Sequence, residues 1–181
     1  MSSPPIITFV NHASVIFSNK KINLITDPWL FGSAFNNSWD LISKSKMQID
    51  DFKDITHIWF SHEHPDHFAI QVLKSIPEET RKNITVLFQD TLDHRVVNKC
   101  KQFGFSTIEM ESNKIYKLDD DFKIKCKPYM FYDSLLWLDI NGKKILNIND
   151  CGVDDETQSK YIHKFTGDVD LLLTQYGYAA K

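Results

Sequence analysis

Residues 55–60 of this chain, "ITHIWF", are apolar at nearly every position, and they run without a break into "SHEHPDHF" at 61–68. An apolar run of that length with no polar alternation reads as a central strand, covered on both faces. It ends in three histidines, a glutamate and an aspartate within eight positions. Dense titratable chemistry at the end of a buried strand is the feature around which the rest of the chain has to be arranged.

The flanking segments supply the layers such a strand needs. "IITFVNH", "SVIFS" and "INLIT" read as three short strands, with Asp27 just past the third, and the aromatic, asparagine-rich "PWLFGSAFNNSWD" follows as a long loop. A helix is expected over "DHFAIQVLKSI", opening at Pro65 or Asp66, then a strand "NITVLF". A second helix over "TLDHRVVNKCKQF" puts Leu92, Val96, Val97, Cys100 and Phe103 on one face, with Gly104 as its C-terminal cap. The second half changes character: "STIEM", "KIYKL" and "FKIKCKP" are β segments in succession, and "LLWLDI" and "KILNI" flank the hairpin signal "NGK". Asp150 follows that hairpin, "DETQSKYIHKF" is helical, and "VDLLLT" is expected as a final buried strand. Strand–helix units with antiparallel hairpins between them predict a layered α/β fold with a mixed sheet. No repeat or linker divides the chain, so residues 1–181 read as one domain.

Composition narrows the partners. A formal net charge of −3 with no basic block argues against nucleic acid as the main partner. No apolar run is long enough to span a bilayer, and "MSSPPIITF" has no basic region followed by a long apolar stretch. Cys100, Cys126 and Cys151 are odd in number and widely spaced, which suggests no disulfide framework and leads to the expectation of a cytoplasmic location. Neither GxGxxG nor GxxxxGK[ST] occurs, so nucleotide-phosphate cradles of those types are unsupported.

The cluster itself has the form His62-x-His64-x-Asp66-His67. His62 and His64 are two apart at the end of a strand, so both can face one side. Asp66 and His67 begin the following turn. Such a loop can offer two imidazoles to one cation, and a carboxylate with an imidazole to a second. Imidazole and carboxylate without thiolate suit zinc, iron or manganese and do not choose among them. A metal at such a site lowers the pKa of its bound water toward neutrality, and a pair of metals can clamp a substrate oxygen between them.

These residues resemble the signature of the metallo-β-lactamase superfamily. Asp27 after an early strand and Asp150 after "KILNI" are similar to its two other acidic motif positions. The resemblance implies an αββα sandwich with a dinuclear metal site at one sheet edge. His62 and His64 would serve the first metal, Asp66 and His67 the second; Asp150 would bridge both, and Asp27 would orient a histidine from behind. "NHAS" near the start resembles the subgroup of the L-ascorbate-6-phosphate lactonases. "DPWLFGSAFNNSW", "DSLLWLDINGKKILNINDC" and "LLLTQYGYAA" are similar to the metallo-β-lactamase-like part of CMP-N-acetylneuraminate hydroxylases. The family usually supplies a further histidine between the cluster and the Asp150 strand; here Tyr132 and Asp133 stand in that region, and Asp133 is either a substitute oxygen ligand or a solvated loop acid. It also usually supplies a last histidine from its C-terminal half, and nothing after His163 can do so. The Rieske iron–sulfur motif carried by the hydroxylases has no counterpart in this sequence.

What the resemblance implies is a metal-dependent hydrolase, holding one or two zinc ions, that uses a metal-bound hydroxide on a small-molecule ester, lactone or phosphodiester-type substrate. Asp66 would be both ligand and proton acceptor. The alternatives are an iron-dependent oxidative enzyme related to the hydroxylases and a non-catalytic metal-binding module. The short C-terminal half leads to the expectation that the fold is incomplete there, so that a longer chain or a second copy in a homo-oligomer completes the unit. Among the remaining residues, His12 lines the pocket or caps a strand end, and His57 and His94 read as structural and solvated respectively. Glu63 points away from the ligands. Trp29, Phe31, Phe35, Asn36, Asn37 and Trp39 either wall a pocket or cover the core. Cys151 reads as a small buried residue.

Overall fold

The structure, a computed structural model, describes residues 4–130 and 132–175. Strands β1 (Ile6–Asn11), β2 (Ser14–Ser18), β3 (Asn23–Thr26), β4 (His57–Trp59), β5 (Thr85–Gln89) and β6 (Ser106–Met110) form one six-stranded sheet in that order. The first three pair antiparallel, and β3 to β6 run parallel. The second sheet has the order β11-β10-β9-β8-β7, made of β7 (Tyr116–Asp119), β8 (Phe122–Tyr129), β9 (Asp133–Ile140), β10 (Lys143–Asn147) and β11 (Leu171–Leu173). Its pairs are antiparallel except β10 with β11. Helices α1 (Ile70–Ser75), α2 (Glu78–Arg81), α3 (Arg95–Gln102) and α4 (Glu156–Thr166), with a 3-10 helix at Ile49–Asp54, are the helical elements among the described residues.

Strand periodicity explains why two sheets stack. Along β3, β4 and β5, Leu24, Trp59 and Leu87 point one way, and Ile25, Ile58 and Val86 the other. The first set meets Phe122, Ile124, Leu136, Leu138 and Ile140 of the second sheet in an inter-sheet core. The second set meets Val72 and Leu73 of α1 and Val96, Val97 and Cys100 of α3. On β9 the other parity, Leu135 and Trp137, packs with Ile162 and Phe165 of α4 on the outer face. The order helix–sheet–sheet–helix is the expected αββα sandwich. The "NGK" hairpin forms as read, with Asn141 and Gly142 both at positive φ, 53° and 79°.

Three expectations are corrected. The helix expected to open at Pro65 or Asp66 begins at Ile70; residues 65–67 form a turn in which the His67 and Phe68 amides both donate to the His64 carbonyl. In a helix, successive side chains diverge by about 100°, whereas the turn keeps Asp66 and His67 both buried. Leu92 lies outside α3 and is fully exposed, because the chain reverses at His94, φ 53°, before the helix starts. The final strand β11 is a sheet edge, not buried: Leu171 and Leu172 are 39% and 50% exposed. The end of the "LLLTQYGYAA" motif, from 176 onward, lies outside the described residues.

Candidate metal centre

Strand ends from both sheets converge at one edge of the sandwich. Asp27 follows β3, the Ser61–His67 segment follows β4, and Gln89 closes β5, so three come from the carboxyl ends of adjacent parallel strands. Open α/β sheets place ligands at this end. His12 comes from the β1–β2 turn, Asp133 from the start of β9, and Asp150 from just beyond β10. The fold thus brings together all eight of the residues singled out: His12, Asp27, His62, His64, Asp66, His67, Asp133 and Asp150.

His67 is the centre of the cluster. Its Nδ1 lies 3.1 Å from Asp27 Oδ2 and 3.2 Å from Ser61 Oγ. Its Nε2 lies 3.3 Å from Asp150 Oδ2 and 3.5 Å from Asp66 Oδ2. Asp27 is itself fixed: its Oδ1 accepts the Ser61 amide at 2.8 Å, and its backbone amide donates to the Trp59 carbonyl. A carboxylate only accepts, so it holds the His67 proton on Nδ1 and aims Nε2 at Asp66 and Asp150. Asp27 therefore stands behind His67.

His62 and His64 form the other half. His62 Nε2 and His64 Nδ1 are 3.0 Å apart. His62 Nδ1 meets Ser61 Oγ at 2.9 Å and lies 3.0 Å from Asp133 Oδ1. The Tyr132 ring packs against His64 with centroids 4.8 Å apart, and the Phe35 ring approaches it at 5.8 Å. Asp133 is not a solvated loop acid; its side chain is 16% exposed and faces the histidines.

Electrostatics divide the imidazoles. Burial, and then the His67 charge beside it, push His62 down to about 4. Burial acts the same way on His67, but Asp27 and Asp150 override it and hold His67 up to about 10. Burial raises the Asp66 carboxyl, but His12 and His67 leave it below its ordinary value. Asp150 is likewise opposed by burial and held low by His67, whereas Asp133 is raised by burial and by Asp150.

The donor chemistry fits a cation. Asp66 Oδ1 and His67 Nε2 are buried without a hydrogen-bond partner. Each such group costs ~1–3 kcal/mol unless something satisfies it. Two overlapping sets, His12–Asp66–His67 and His62–His67–Asp150, each bring one donor atom per residue within 4.8 Å of the others. Buried unpaired imidazole and carboxylate atoms facing one another are a donor set that could hold a metal ion.

The residues outside the cluster also find their places. Glu63 points away, paired with Arg95 at 2.8 Å. His57 bonds Thr56 Oγ1, and burial lowers its pKa. His94 precedes α3 and contacts Glu109. Trp29 covers the core and shares with Phe31 and Pro65 a cavity of about 190 Å³ beside the cluster; Phe35 and Trp39 meet edge to face with centroids 5.0 Å apart. His163 is exposed on α4 beside Asp168, away from the cluster. Sequence reading gave no role to Ser61, which touches both His62 and His67, nor to Gln89, which bonds the Tyr132 carbonyl. A serine and a glutamine at strand ends follow no periodicity that would mark them, although Ser61 stands first in the quoted motif.

The chain is similar to several known proteins. The cytidine monophosphate-N-acetylneuraminic acid hydroxylase of Mus musculus is 28% identical over 154 residues, covering 80% of this chain and 26% of that protein. The chain therefore spans about a quarter of that relative's length. Among solved structures, CmlA, a diiron β-hydroxylase from Streptomyces venezuelae, superimposes with a TM-score of 0.72 at 16% identity, covering 95% of this chain and 34% of that one. An isothiocyanate hydrolase from Delia radicum gut bacteria gives 0.71 at 14% identity, covering 97% and 72%. Residues 6–175 match the family described as "Beta-lactamase superfamily domain", and the chain belongs to that family.

Proposed function

We propose that this domain is a metal-dependent hydrolase acting on a small-molecule ester, lactone or phosphodiester-type bond, with zinc in one or two positions at the strand-end cluster. The observation that carries the reading is the convergence of buried, unpartnered His67 Nε2 and Asp66 Oδ1 with Asp150 and the His62–His64 pair. His62 and His64 would hold one cation, Asp66 and His67 the other, with Asp150 between them. Cations bound there supply Lewis-acid activation of water and of a substrate oxygen.

The chain's own groups do the rest. Asp27 keeps the His67 proton on Nδ1, so that Nε2 is free to donate. Ser61 Oγ bridges the inner nitrogens of His62 and His67 and fixes both rings. The Asp150 side chain is 44% exposed, so substrate reaches the cluster from its side. Asp66, held as the carboxylate, can accept a proton at Oδ1.

A second reading is an iron-dependent oxidative enzyme. The likeness to a hydroxylase and to a diiron β-hydroxylase favours it, as does the carboxylate-rich donor set with Asp133 against His62. That reading needs an external electron donor. Elemental analysis of purified wild type beside a His62→Ala/His64→Ala double variant, with hydrolysis assays on model esters and lactones, separates the two. Zinc bound in wild type and depleted in the variant, with hydrolysis abolished by Asp66→Asn, is the expected result. Iron without hydrolysis moves the assignment to oxidation; equal metal in both proteins sinks the metal assignment of these histidines.

A further inference from the structure

His12 stands outside the HxHxDH segment, 54 residues before Asp66, yet its Nε2 lies 3.2 Å from Asp66 Oδ2. The same Oδ2 is 3.5 Å from His67 Nε2. Donors sharing one cation at ~2.0–2.2 Å lie roughly 3.0–3.5 Å from each other. One donor atom from each of His12, Asp66 and His67 falls within 4.8 Å of the other two.

The ring is held in that position from several directions. His12 occupies the β1–β2 turn at φ 46°, a left-handed conformation that histidine adopts more readily than most residues. Trp29 meets the ring edge-on at 5.2 Å, and the His67 ring does so at 5.5 Å. Trp29 is anchored in turn, its indole N–H donating to the Gly32 carbonyl and its amide to Ser14 Oγ. A solvated strand-end histidine would need none of this.

We propose that His12 is a direct donor to the Asp66–His67 subsite, its third protein ligand beside the shared Asp150. The inference rests on the metal-centre reading given above. It accounts for how that half of the centre is completed among the described residues, where His163 is turned away toward Asp168. The subsite is then assembled by two segments far apart in sequence, the first β-turn and the loop after β4.

Cobalt(II), a coloured probe that takes imidazole and carboxylate donors, tests this on the whole chain after chelator stripping. Wild type is expected to take up two equivalents in two steps. His12→Asn, which tolerates the left-handed backbone, and His12→Gln should both keep one step at wild-type affinity. The other step should weaken at least ~tenfold, with a changed visible absorption spectrum. His62→Ala should weaken the opposite step. Thermal unfolding of the metal-free proteins checks that the fold is intact. Two steps of unchanged affinity and spectrum in both His12 variants would overturn the proposal and reduce His12 to a hydrogen-bond partner of Asp66. Failure of wild type to bind cobalt at all would instead bring down the metal-centre reading, and this inference with it.

Discussion

Replacing Asp27 by asparagine tests the electrostatic logic of the cluster without changing its shape. Asp27 is fully buried, and its two oxygens do separate things: Oδ1 accepts the Ser61 amide at 2.8 Å, and Oδ2 faces His67 Nδ1 at 3.1 Å. The amide keeps the first acceptor but turns a donor toward His67. In the wild type, burial works against the imidazolium, yet Asp27 and Asp150 raise it from 6.5 to about 10. A basic group raised on folding contributes stability that is fully present below its unfolded pKa and lost as pH rises through its folded one. The Asp27–His67 contribution is therefore whole at pH 6 and largely gone above pH 10. Breaking a buried charged pair costs ~3–5 kcal/mol, while a mismatched buried hydrogen bond alone costs ~1–3 kcal/mol. Urea unfolding of metal-free wild type and Asp27→Asn should show the larger loss at pH 6, exceeding that at pH 10 by roughly 2 kcal/mol. A loss that is equal at both pH values, or that grows with pH, would refute the assignment of Asp27 as the partner that charges and orients His67. In the metal-loaded protein the same change should weaken binding at the His67 side by ~10–100-fold, the usual effect of removing the group behind a histidine ligand.

Two further outcomes follow from the same geometry. Glu63→Ala should leave metal content unchanged and shift stability by no more than ~1 kcal/mol, since Glu63 points away from the cluster and pairs with exposed Arg95; metal loss in that variant would show that Glu63 reaches the centre. Cys100, Cys126 and Cys151 are all buried, and burial raises each thiol, Cys100 to about 12 and Cys126 to about 11. A thiol-reactive disulfide should therefore label none of them in the native protein and all three in urea, with rapid native labelling of Cys151 as the contrary result.

Sequence and structure divided the determination along physical lines. Alternation of apolar residues, turn chemistry at "NGK" and the histidine spacing are local properties, and they marked the strands, the hairpin and the candidate ligands His62, His64, Asp66 and His67 directly. Resemblance extended that to Asp27 and Asp150, because each lies just past a strand and strand ends meet at a sheet edge. Where the helix after the cluster begins was decided otherwise. Residues 65–69 could open a helix by local preference, but burying Asp66 and His67 on one side requires a turn first. The exposure of β11 likewise depends on which strand it pairs with, and a run of leucines does not say whether it sits at an edge. Above all, the placement of His12 against Asp66 and of Asp133 against His62 joins residues 54 and 71 positions apart. No periodicity spans such distances. Only packing one sheet on the other, and the first turn over the loop after β4, brings those side chains within reach of one centre.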